Sequence, residues 1–177
     1  MTADSLTLLR TAIRDVPDFP QPGIIFKDIT PVLGDAALLK LAIDGMAETI
    51  SGQKVDKIVG IDARGFIFGS MLAQKLGTGF IPARKKGKLP WKTRGLDYAL
   101  EYGTNSIEMH LDAISPGENI LLADDLLATG GTAGAALELM KQAEANIVGA
   151  VFFIELDFLN GRDRVAGYGP VHSLLNF

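Results

Sequence analysis

Residues 120–134 read Ile-Leu-Leu-Ala-Asp-Asp-Leu-Leu-Ala-Thr-Gly-Gly-Thr-Ala-Gly, and this order of residue types predicts a strand, a turn and a helix. Ile120 to Ala123 is a short apolar run of the length of a fully buried strand. We expect Asp124 and Asp125 to end that strand with two adjacent carboxylates. Ala128 to Thr132 then forms a small, glycine-rich turn that leads into a helical pattern.

The turn and the start of the helix have the chemistry to hold a phosphate, because free backbone N–H groups there can point at an anion. The preceding carboxylates can accept hydrogen bonds from sugar hydroxyls. Gly130 and Gly131 are adjacent and no Gly-Lys pair follows, which excludes the dinucleotide fingerprint and the Walker A loop. An ordinary tight turn is the alternative, but Thr129 and Thr132 around the glycines favour a sugar-phosphate cradle.

Composition and charge exclude several kinds of site. The chain has 177 residues, enough for one domain with a core, and no cysteine, which excludes disulfides and thiolate chemistry. With only two histidines, His110 and His172, a histidine-rich metal centre is not expected, and both are expected to be structural or surface residues. A net charge of -4 gives no global basic footprint for nucleic acid, and no apolar run approaches a membrane span. We therefore expect a cytoplasmic globular protein that binds neither nucleic acid nor membrane.

Apolar segments alternate with helical patterns along most of the chain. Helices are predicted over 5–16, 35–51, 65–76 and 132–145, and strands over 57–61, 79–83, 96–102, 106–111, 119–123, 147–156 and 171–175. This alternation predicts an α/β fold with a parallel, twisted, doubly wound sheet flanked by helices. Ligands of such sheets bind beyond the carboxyl ends of the strands, near the switch point, so Asp62 and Asp124 are expected at one crevice.

The segment Ile61-Asp-Ala-Arg-Gly is a second candidate for an anion site. Arg64 precedes a predicted helix, and a cation beside free amides at a helix N-terminus suits an anion. A surface arginine beside a turn is an equally good interpretation of this motif when it is taken alone.

The segment from Arg84 to Gly95 is a third candidate because it is strongly basic. It holds six of the 17 Lys and Arg residues, namely Arg84, Lys85, Lys86, Lys88, Lys92 and Arg94. A solvated charged loop is the usual interpretation of such a run. Its length, with Pro90 and Trp91, favours a lid that attracts a polyanionic substrate and excludes water from the reaction.

The 120–134 motif resembles the phosphoribosyl pyrophosphate signature of the type I phosphoribosyltransferases. Taken with Pro17 to Leu33, Arg84 to Pro90 and Leu100 to Gly103, it makes nearly the whole chain similar to the members of that family that use adenine. The resemblance implies one domain over 1–177, with a hood at 1–34 that binds the base. It also implies an α/β core at 35–177 that carries a flexible β-hairpin lid at about 84–103.

The same resemblance implies a reaction. The 5-phosphoribosyl group would pass from phosphoribosyl pyrophosphate to N9 of adenine, giving AMP and pyrophosphate in purine salvage. Mg²⁺ would be bound to the substrate rather than in a protein cage, and the enzyme would be a homodimer. Phosphoribosyl transfer to guanine, hypoxanthine or xanthine is one alternative, and a non-catalytic purine-responsive regulator on the same fold is another. Pro17 to Leu33 and Glu101 argue against the first through resemblance, and a regulator would need a DNA-binding module or a basic face.

The resemblance also implies roles for individual residues. The phosphoribosyl pyrophosphate site would consist of Asp62, Ala63, Arg64, Arg84, Lys88, Tyr102, Asp124, Asp125, Ala128, Thr129, Gly130, Gly131 and Thr132. Of these, the acids at 124 and 125 would face the ribose hydroxyls, residues 128–132 would wrap the 5-phosphate, and a cis peptide would join residues 62 and 63. The adenine site would consist of the stacking ring of Phe26, the backbone of Ile25 and Lys27, and the side chain of Leu156. The catalytic residues would be Glu101, Arg64 and Lys88, with the glutamate assisting proton movement on the purine.

Overall fold

The computed structural model describes residues 1–99 and 104–177 and places seven of their strands in one sheet. The strands are β1 (Arg14–Pro17), β2 (Ile25–Asp28), β3 (Lys57–Ile61), β4 (Gly79–Lys85), β5 (Thr93–Ala99), β6 (Thr104–His110), β7 (Asn119–Leu127), β8 (Asn146–Glu155) and β9 (Val171–Asn176). The helices are α1 (Ala3–Ala12), α2 (Thr30–Leu33), α3 (Ala36–Thr49), α4 (Gly65–Leu76), α5 (Gly131–Gln142) and α6 (Arg162–Val165). Short 3-10 turns lie at Asp157–Leu159 and Ala166–Tyr168.

The large sheet has the order β5-β6-β4-β3-β7-β8-β9. Strands β4, β3, β7, β8 and β9 are parallel, which confirms the predicted parallel sheet for its main part. β6 and β5 form an antiparallel hairpin at one edge. From β3 the chain adds β4 on one side and later adds β7, β8 and β9 on the other. The topological switch therefore lies between β3 and β7, where the carboxyl ends of the two strands leave a crevice.

Strand β7 is covered on both faces, which explains its continuous apolar run. Leu121 and Ala123 belong to the core that packs against α1 to α4, whereas Ile120 and Leu122 belong to the core beneath α5. All four side chains are fully buried. This double burial fixes the register of β7 and hence the position of the residues that follow it.

Several predicted element ends are confirmed by their capping interactions. Asp35 caps α3, because its carboxylate accepts from the N–H groups of Ala37 and Leu38 at 2.8 and 3.0 Å. Gly77 ends α4 in a left-handed conformation with φ of 68°, which glycine adopts at little cost.

The helix predicted over 5–16 is wrong at its end, since α1 stops at Ala12. Arg14 to Pro17 form the short strand β1 instead, and they pair with β2 to give a two-stranded antiparallel ribbon. Pairing with a later segment overrode the local helical spacing, which cannot register such a partner. This ribbon carries three of the four predicted base-binding residues, Ile25, Phe26 and Lys27.

The expectation that Asp124 and Asp125 end the strand is also wrong. β7 continues to Leu127, because its partner β8 remains hydrogen-bonded along the ladder as far as Glu155. The two acids therefore lie on a rigid strand rather than in a loop, and they project to opposite faces of it.

The basic loop predicted over 84–95 is shorter than expected. β4 extends to Lys85 and β5 begins at Thr93, so the connection spans only residues 86–92. Arg94 donates to the carbonyl of Gln142 at the end of α5. The proposed lid segment is thus largely a hairpin of the sheet edge in the part of it that the structure describes.

None of the helices in the described part of the chain has the length and apolarity needed to cross a membrane.

Candidate active site

A crevice of about 260 Å³ opens at the switch point between β3 and β7. Ten of the residues predicted from the sequence line it, namely Asp62, Ala63, Arg64, Asp124, Asp125, Ala128, Thr129, Gly130, Gly131 and Thr132. They meet because the carboxyl ends of β3 and β7 are neighbours in the sheet. The structure therefore brings the two predicted anion motifs into one site.

Asp125 is buried and forms an ion pair across the crevice. Its side chain is only 8% exposed, and its Oδ2 accepts from Nε of Arg64 at 2.5 Å. Arg64 directly precedes α4, and the peptide between Asp62 and Ala63 is cis. This ion pair connects the segment that follows β3 to strand β7.

Asp124 lies beneath the first turn of α4. A Cβ atom added at Gly65 would collide with Oδ1 of Asp124, so glycine is required for this close approach. Burial raises the pKa of Asp124 well above its usual range, and the neighbouring charge of Asp125 adds to the effect. The carboxyl of Asp124 also accepts from the backbone N–H of Asp125 at 2.9 Å. The two adjacent acids thus have different electrostatic environments.

The turn after β7 presents its backbone to the crevice. Gly130 has φ of 75° and caps the start of α5, whose N-terminal end faces the acids across the cavity. Free N–H groups and the positive end of a helix dipole favour an anion at this position. The hydroxyl of Thr132 donates to the Tyr98 hydroxyl at 3.1 Å, which links the turn to strand β5.

Arg84 lies beside the crevice rather than in it. Its Nε donates to Oδ2 of Asp62 at 2.9 Å, and its Nη1 donates to the carbonyl of Lys88 at 3.0 Å. The side chain of Lys88 is exposed. A second cavity, of about 300 Å³, joins Arg84 and Asp62 to Tyr98 and Thr132. Arg64 and Arg84 therefore line two cavities that share Asp62 and Thr132, and Arg84 also contacts the backbone of the 86–92 turn.

Two predicted site residues, Glu101 and Tyr102, lie outside the described residues. Their neighbours on the hairpin are placed by the pairing of Ala99 with Thr104.

The predicted base-binding residues lie on the β1–β2 ribbon and after β8. The guanidinium carbon of Arg64 lies 5.7 Å from the ring centroid of Phe26, so this ring lies near the crevice. Ile25 is exposed at 56%. Leu156 donates its N–H to the carbonyl of Leu127 at 3.0 Å, and Leu127 itself lines the crevice. Phe26 and Leu156 are therefore each in contact with a residue that lines the crevice.

Three contacts were not predicted from the sequence. Gly161 packs backbone to backbone against the phosphate-facing turn, since a Cβ there would collide with the carbonyl of Ala128. Glu155 is buried and accepts from Nε of Arg162 at 2.9 Å, which fastens the segment containing Gly161 to the sheet. The third contact is the hydrogen bond that the Tyr98 hydroxyl accepts from Thr132. Only the Asn160-Gly161 dipeptide carried a local signal, that of a turn.

Within residues 1–99 and 104–177, no group of three or more His, Cys, Asp or Glu side chains is arranged to hold a metal ion.

Comparison with known proteins agrees with this geometry. The chain matches the family described as "Phosphoribosyl transferase domain" over residues 33–171. It is 53% identical over 169 residues to the adenine phosphoribosyltransferase of Nitrosococcus oceani, a match that covers 96% of this chain and 98% of the relative. The chain belongs to the adenine phosphoribosyltransferase family. The family resemblance predicted from the sequence is thereby confirmed.

Solved structures of adenine phosphoribosyltransferases share the fold. The enzyme from Rhodothermus marinus superposes with a TM-score of 0.94 at 54% identity, over 99% of this chain and 100% of that chain. The enzyme from Saccharomyces cerevisiae, complexed with adenine and an imino-altritol bisphosphate, gives a TM-score of 0.91 at 41% identity, over 98% of this chain and 99% of that chain. The type I phosphoribosyltransferase fold expected from the sequence is confirmed by these similarities.

Proposed function

We propose that this chain transfers the 5-phosphoribosyl group of phosphoribosyl pyrophosphate to N9 of adenine, releasing AMP and pyrophosphate in purine salvage. One observation carries the proposal. An acid pair with one buried member, a glycine-rich turn at a helix N-terminus and an arginine share one crevice, which opens beside an aromatic ring in a member of this family. A polar crevice of this composition suits a charged sugar, and the ring suits a planar base.

Residues 124–132 bind the ribose 5-phosphate part of the donor in this proposal. The carboxylate of Asp125 accepts hydrogen bonds from the ribose hydroxyls once Arg64 turns to the pyrophosphate. The backbone N–H groups of Ala128 to Thr132 and the start of α5 hold the 5-phosphate. The rigid β7 strand under the acids fixes the distance between the hydroxyl and phosphate subsites.

The pyrophosphate part of the donor is bound, in this proposal, by arginines that form ion pairs with acids in the structure. Arg64 pairs with Asp125, and Arg84 pairs with Asp62. Each guanidinium can turn its planar fork to phosphate oxygens, which arginine binds bidentately. Lys88, exposed on the 86–92 turn, adds a mobile positive charge as the departing pyrophosphate gains charge.

The adenine part is bound by the hood and by Leu156. Phe26 stacks on the purine, the backbone of Ile25 and Lys27 reads its hydrogen-bonding edge, and Leu156 closes the other face. A stacked aromatic ring binds any base, so discrimination among purines rests on the backbone donors and acceptors. The S. cerevisiae relative was solved with adenine bound, which supports a base site in this fold.

The reaction breaks the bond between C1 of the ribose and the pyrophosphate oxygen, and forms the bond from C1 to N9. The pyrophosphate oxygen takes the bonding electrons, and the sugar passes through an oxocarbenium-like state. Adenine loses a proton in the process, and we propose that Glu101 assists that transfer. The protein positions base and sugar in line and neutralises the departing anion.

We propose Mg²⁺ as a companion of the donor substrate. The oxygen-rich acids at the crevice fit a magnesium complex of the sugar, and Mg²⁺ favours phosphate oxygens and water over a protein cage. When bound, the ion supplies charge neutralisation on the pyrophosphate. A homodimer and a cytoplasmic location stay predictions from the sequence, as does the one-domain division with its hood and lid.

One assay tests the proposal. Purified protein is incubated with phosphoribosyl pyrophosphate, Mg²⁺ and each nucleobase in turn, and the nucleotide product is quantified. We expect AMP from adenine and far less product from guanine, hypoxanthine or xanthine. No AMP from adenine would refute the proposed function, whereas faster reaction with guanine would refute only the specificity. Glu101→Ala should lower turnover, and an unchanged rate would end its proposed role in proton transfer.

A further inference from the structure

The ring of Phe177 lies beneath the hood, on the side opposite to the base-binding ring. The guanidinium carbon of Arg10 in α1 lies 4.4 Å from its centroid, and Nζ of Lys27 in β2 lies 4.5 Å from it. Both cations thus face the electron-rich ring within the range of a cation–π contact. One side chain therefore holds two elements of the hood.

Lys27 connects the Phe177 ring to Phe26, because Lys27 and Phe26 are adjacent residues of β2. Consecutive residues of a strand point to opposite faces, so Phe26 faces away from Phe177 while Lys27 faces towards it. Nζ of Lys27 also donates to Oδ1 of Asp15 at 2.6 Å, across the ladder that pairs these two residues. The lysine side chain is therefore anchored at its end, and strand β2 is held from behind.

The backbone of Phe177 holds the other proposed wall of the base site. Its N–H donates to the carbonyl of Glu155 at 2.9 Å, and its carbonyl accepts from the N–H of Asp157 at 2.9 Å. These two partners flank Leu156 in the chain. Asn176 adds a hydrogen bond to Oδ1 of Asp157 at 2.7 Å. The Leu156 backbone is thus bracketed by a single residue of the strand end.

We propose that Phe177 is a positioning residue that sets the separation between Phe26 and Leu156. Its ring fixes the β1–β2 ribbon through Lys27 and Arg10, and its backbone fixes Leu156. The purine fits only if both walls keep a distance suited to one planar ring. This inference rests on the proposed function, because it concerns the adenine site of that reaction.

The test separates the ring from the backbone. Phe177→Ala keeps both backbone hydrogen bonds but removes the ring, so we expect KM for adenine to rise roughly 5- to 30-fold as two cation–π contacts are lost. KM for phosphoribosyl pyrophosphate should change less than about 2-fold, since the crevice is not touched by this ring. Phe177→Tyr retains an aromatic face and should restore the wild-type value, whereas Phe177→Leu should not.

Two further variants extend the test: Phe158→Ala is a neutral control, and Lys27→Met removes one of the two cations. Phe158→Ala removes an exposed ring from the neighbouring turn and should leave both KM values unchanged. Lys27→Met keeps the ring and most of the packing but removes one cation, and should raise KM for adenine about 2- to 5-fold. The thermal midpoint of each variant is measured beside the kinetics.

An unchanged KM for adenine in Phe177→Ala would overturn the inference. A parallel rise in both KM values with a fall in the thermal midpoint would also overturn it, because that result marks a general structural role. A wild-type protein that makes no AMP would refute the proposed function instead, and the positioning role would fall with it.

Discussion

Asp124 and Asp125 are consecutive residues of β7 with different surroundings. Asp125 forms an ion pair with Arg64, whereas Asp124 lies against Gly65 and its pKa is raised by burial and by the neighbouring acid. The two side chains are identical, but they project to opposite faces of the strand and therefore meet different environments. Because Asp125 faces Arg64 across the crevice, we propose Asp125 before Asp124 as the acid that binds the ribose hydroxyls.

Asp125→Asn should impair use of the donor while the fold survives. We expect kcat/KM for phosphoribosyl pyrophosphate to fall roughly 10- to 150-fold, since a hydrogen bond to a charged group contributes about 1.5–3 kcal/mol. Initial rates at varied donor concentration measure the effect. Asp112→Asn, at an exposed acid outside the crevice, serves as the matched control. An unaltered rate for Asp125→Asn would remove this acid from the site.

Asp124 should give stability an unusual pH dependence. Its pKa in the folded chain lies well above its ordinary value of 3.8, so the folded state binds the proton more tightly than the unfolded state. The contribution of this group is therefore fully present below the unfolded pKa and is lost as pH rises through the folded pKa. Asp124→Asn should remove that loss.

Urea unfolding from about pH 4 to about pH 8 measures the difference between wild type and Asp124→Asn. The variant should become more stable relative to wild type as pH rises through this interval. A constant difference over the whole interval would contradict the raised pKa.

At the scale of elements, the segment from Asn160 to Val165 packs against the turn at residues 128–132, which we propose binds the 5-phosphate. Gly161 abuts the carbonyl of Ala128, and Gly130 abuts the carbonyl of Gly161, so neither position has room for a Cβ. Arg162 fastens the segment to Glu155, whose pKa is lowered because hydrogen bonds from Arg162 and Ser173 outweigh the effect of burial. The turn is thus shaped from outside as well as by its own glycines.

Gly161→Ala should displace the turn. We expect KM for phosphoribosyl pyrophosphate to rise by about 5-fold or more and stability to fall by about 1–3 kcal/mol, which is typical of overpacking. Gly167→Ala, two residues beyond this segment, is the matched control, because a Cβ there meets nothing within 4 Å. Equal kinetics for the two variants would show that the segment does not support the turn.

The elements that could be predicted from the sequence are those whose pattern is local. β3, α3 and α4 have long apolar or periodic runs with clear caps, and their predicted bounds agree closely with the structure. β1 was missed because its four residues continue a helical spacing and become a strand only through pairing with β2. The acids of β7 were placed at the end of the strand because the ladder to β8, which continues past them, cannot be seen in one segment.

The site residues also divide into those with a local sequence pattern and those that depend on distant segments. Ten residues of the crevice were predicted because they belong to two contiguous motifs, and strand order then brings the motifs together. Gly161, Glu155 and Tyr98 act from other segments, and no spacing in the sequence connects them to residues 128–132. The hood contacts of Phe177 are equally distant in the chain.

At the scale of the whole molecule, donor binding should stabilise the fold. At a ligand concentration 100-fold above Kd, mass action contributes about 2.7 kcal/mol, or roughly 5–10 °C in thermal midpoint for a chain of this size. Differential scanning fluorimetry with phosphoribosyl pyrophosphate and Mg²⁺ measures this shift. A chelator should reduce it, because the pyrophosphate then keeps its full charge. Asp125→Asn should abolish most of it, and an equal shift in that variant would contradict the assignment.

We expect the ion pairs Arg64–Asp125 and Arg84–Asp62 to weaken the binding of substrate fragments in the crevice. A free sugar meets acids already satisfied by arginine, and a free phosphate meets arginines already satisfied by acids. Only a molecule that offers hydroxyls and phosphates together replaces both partners in each pair, so its binding is more favourable than the sum of its parts. We expect the folded chain to ignore abundant cellular phosphates and sugars without any steric gate.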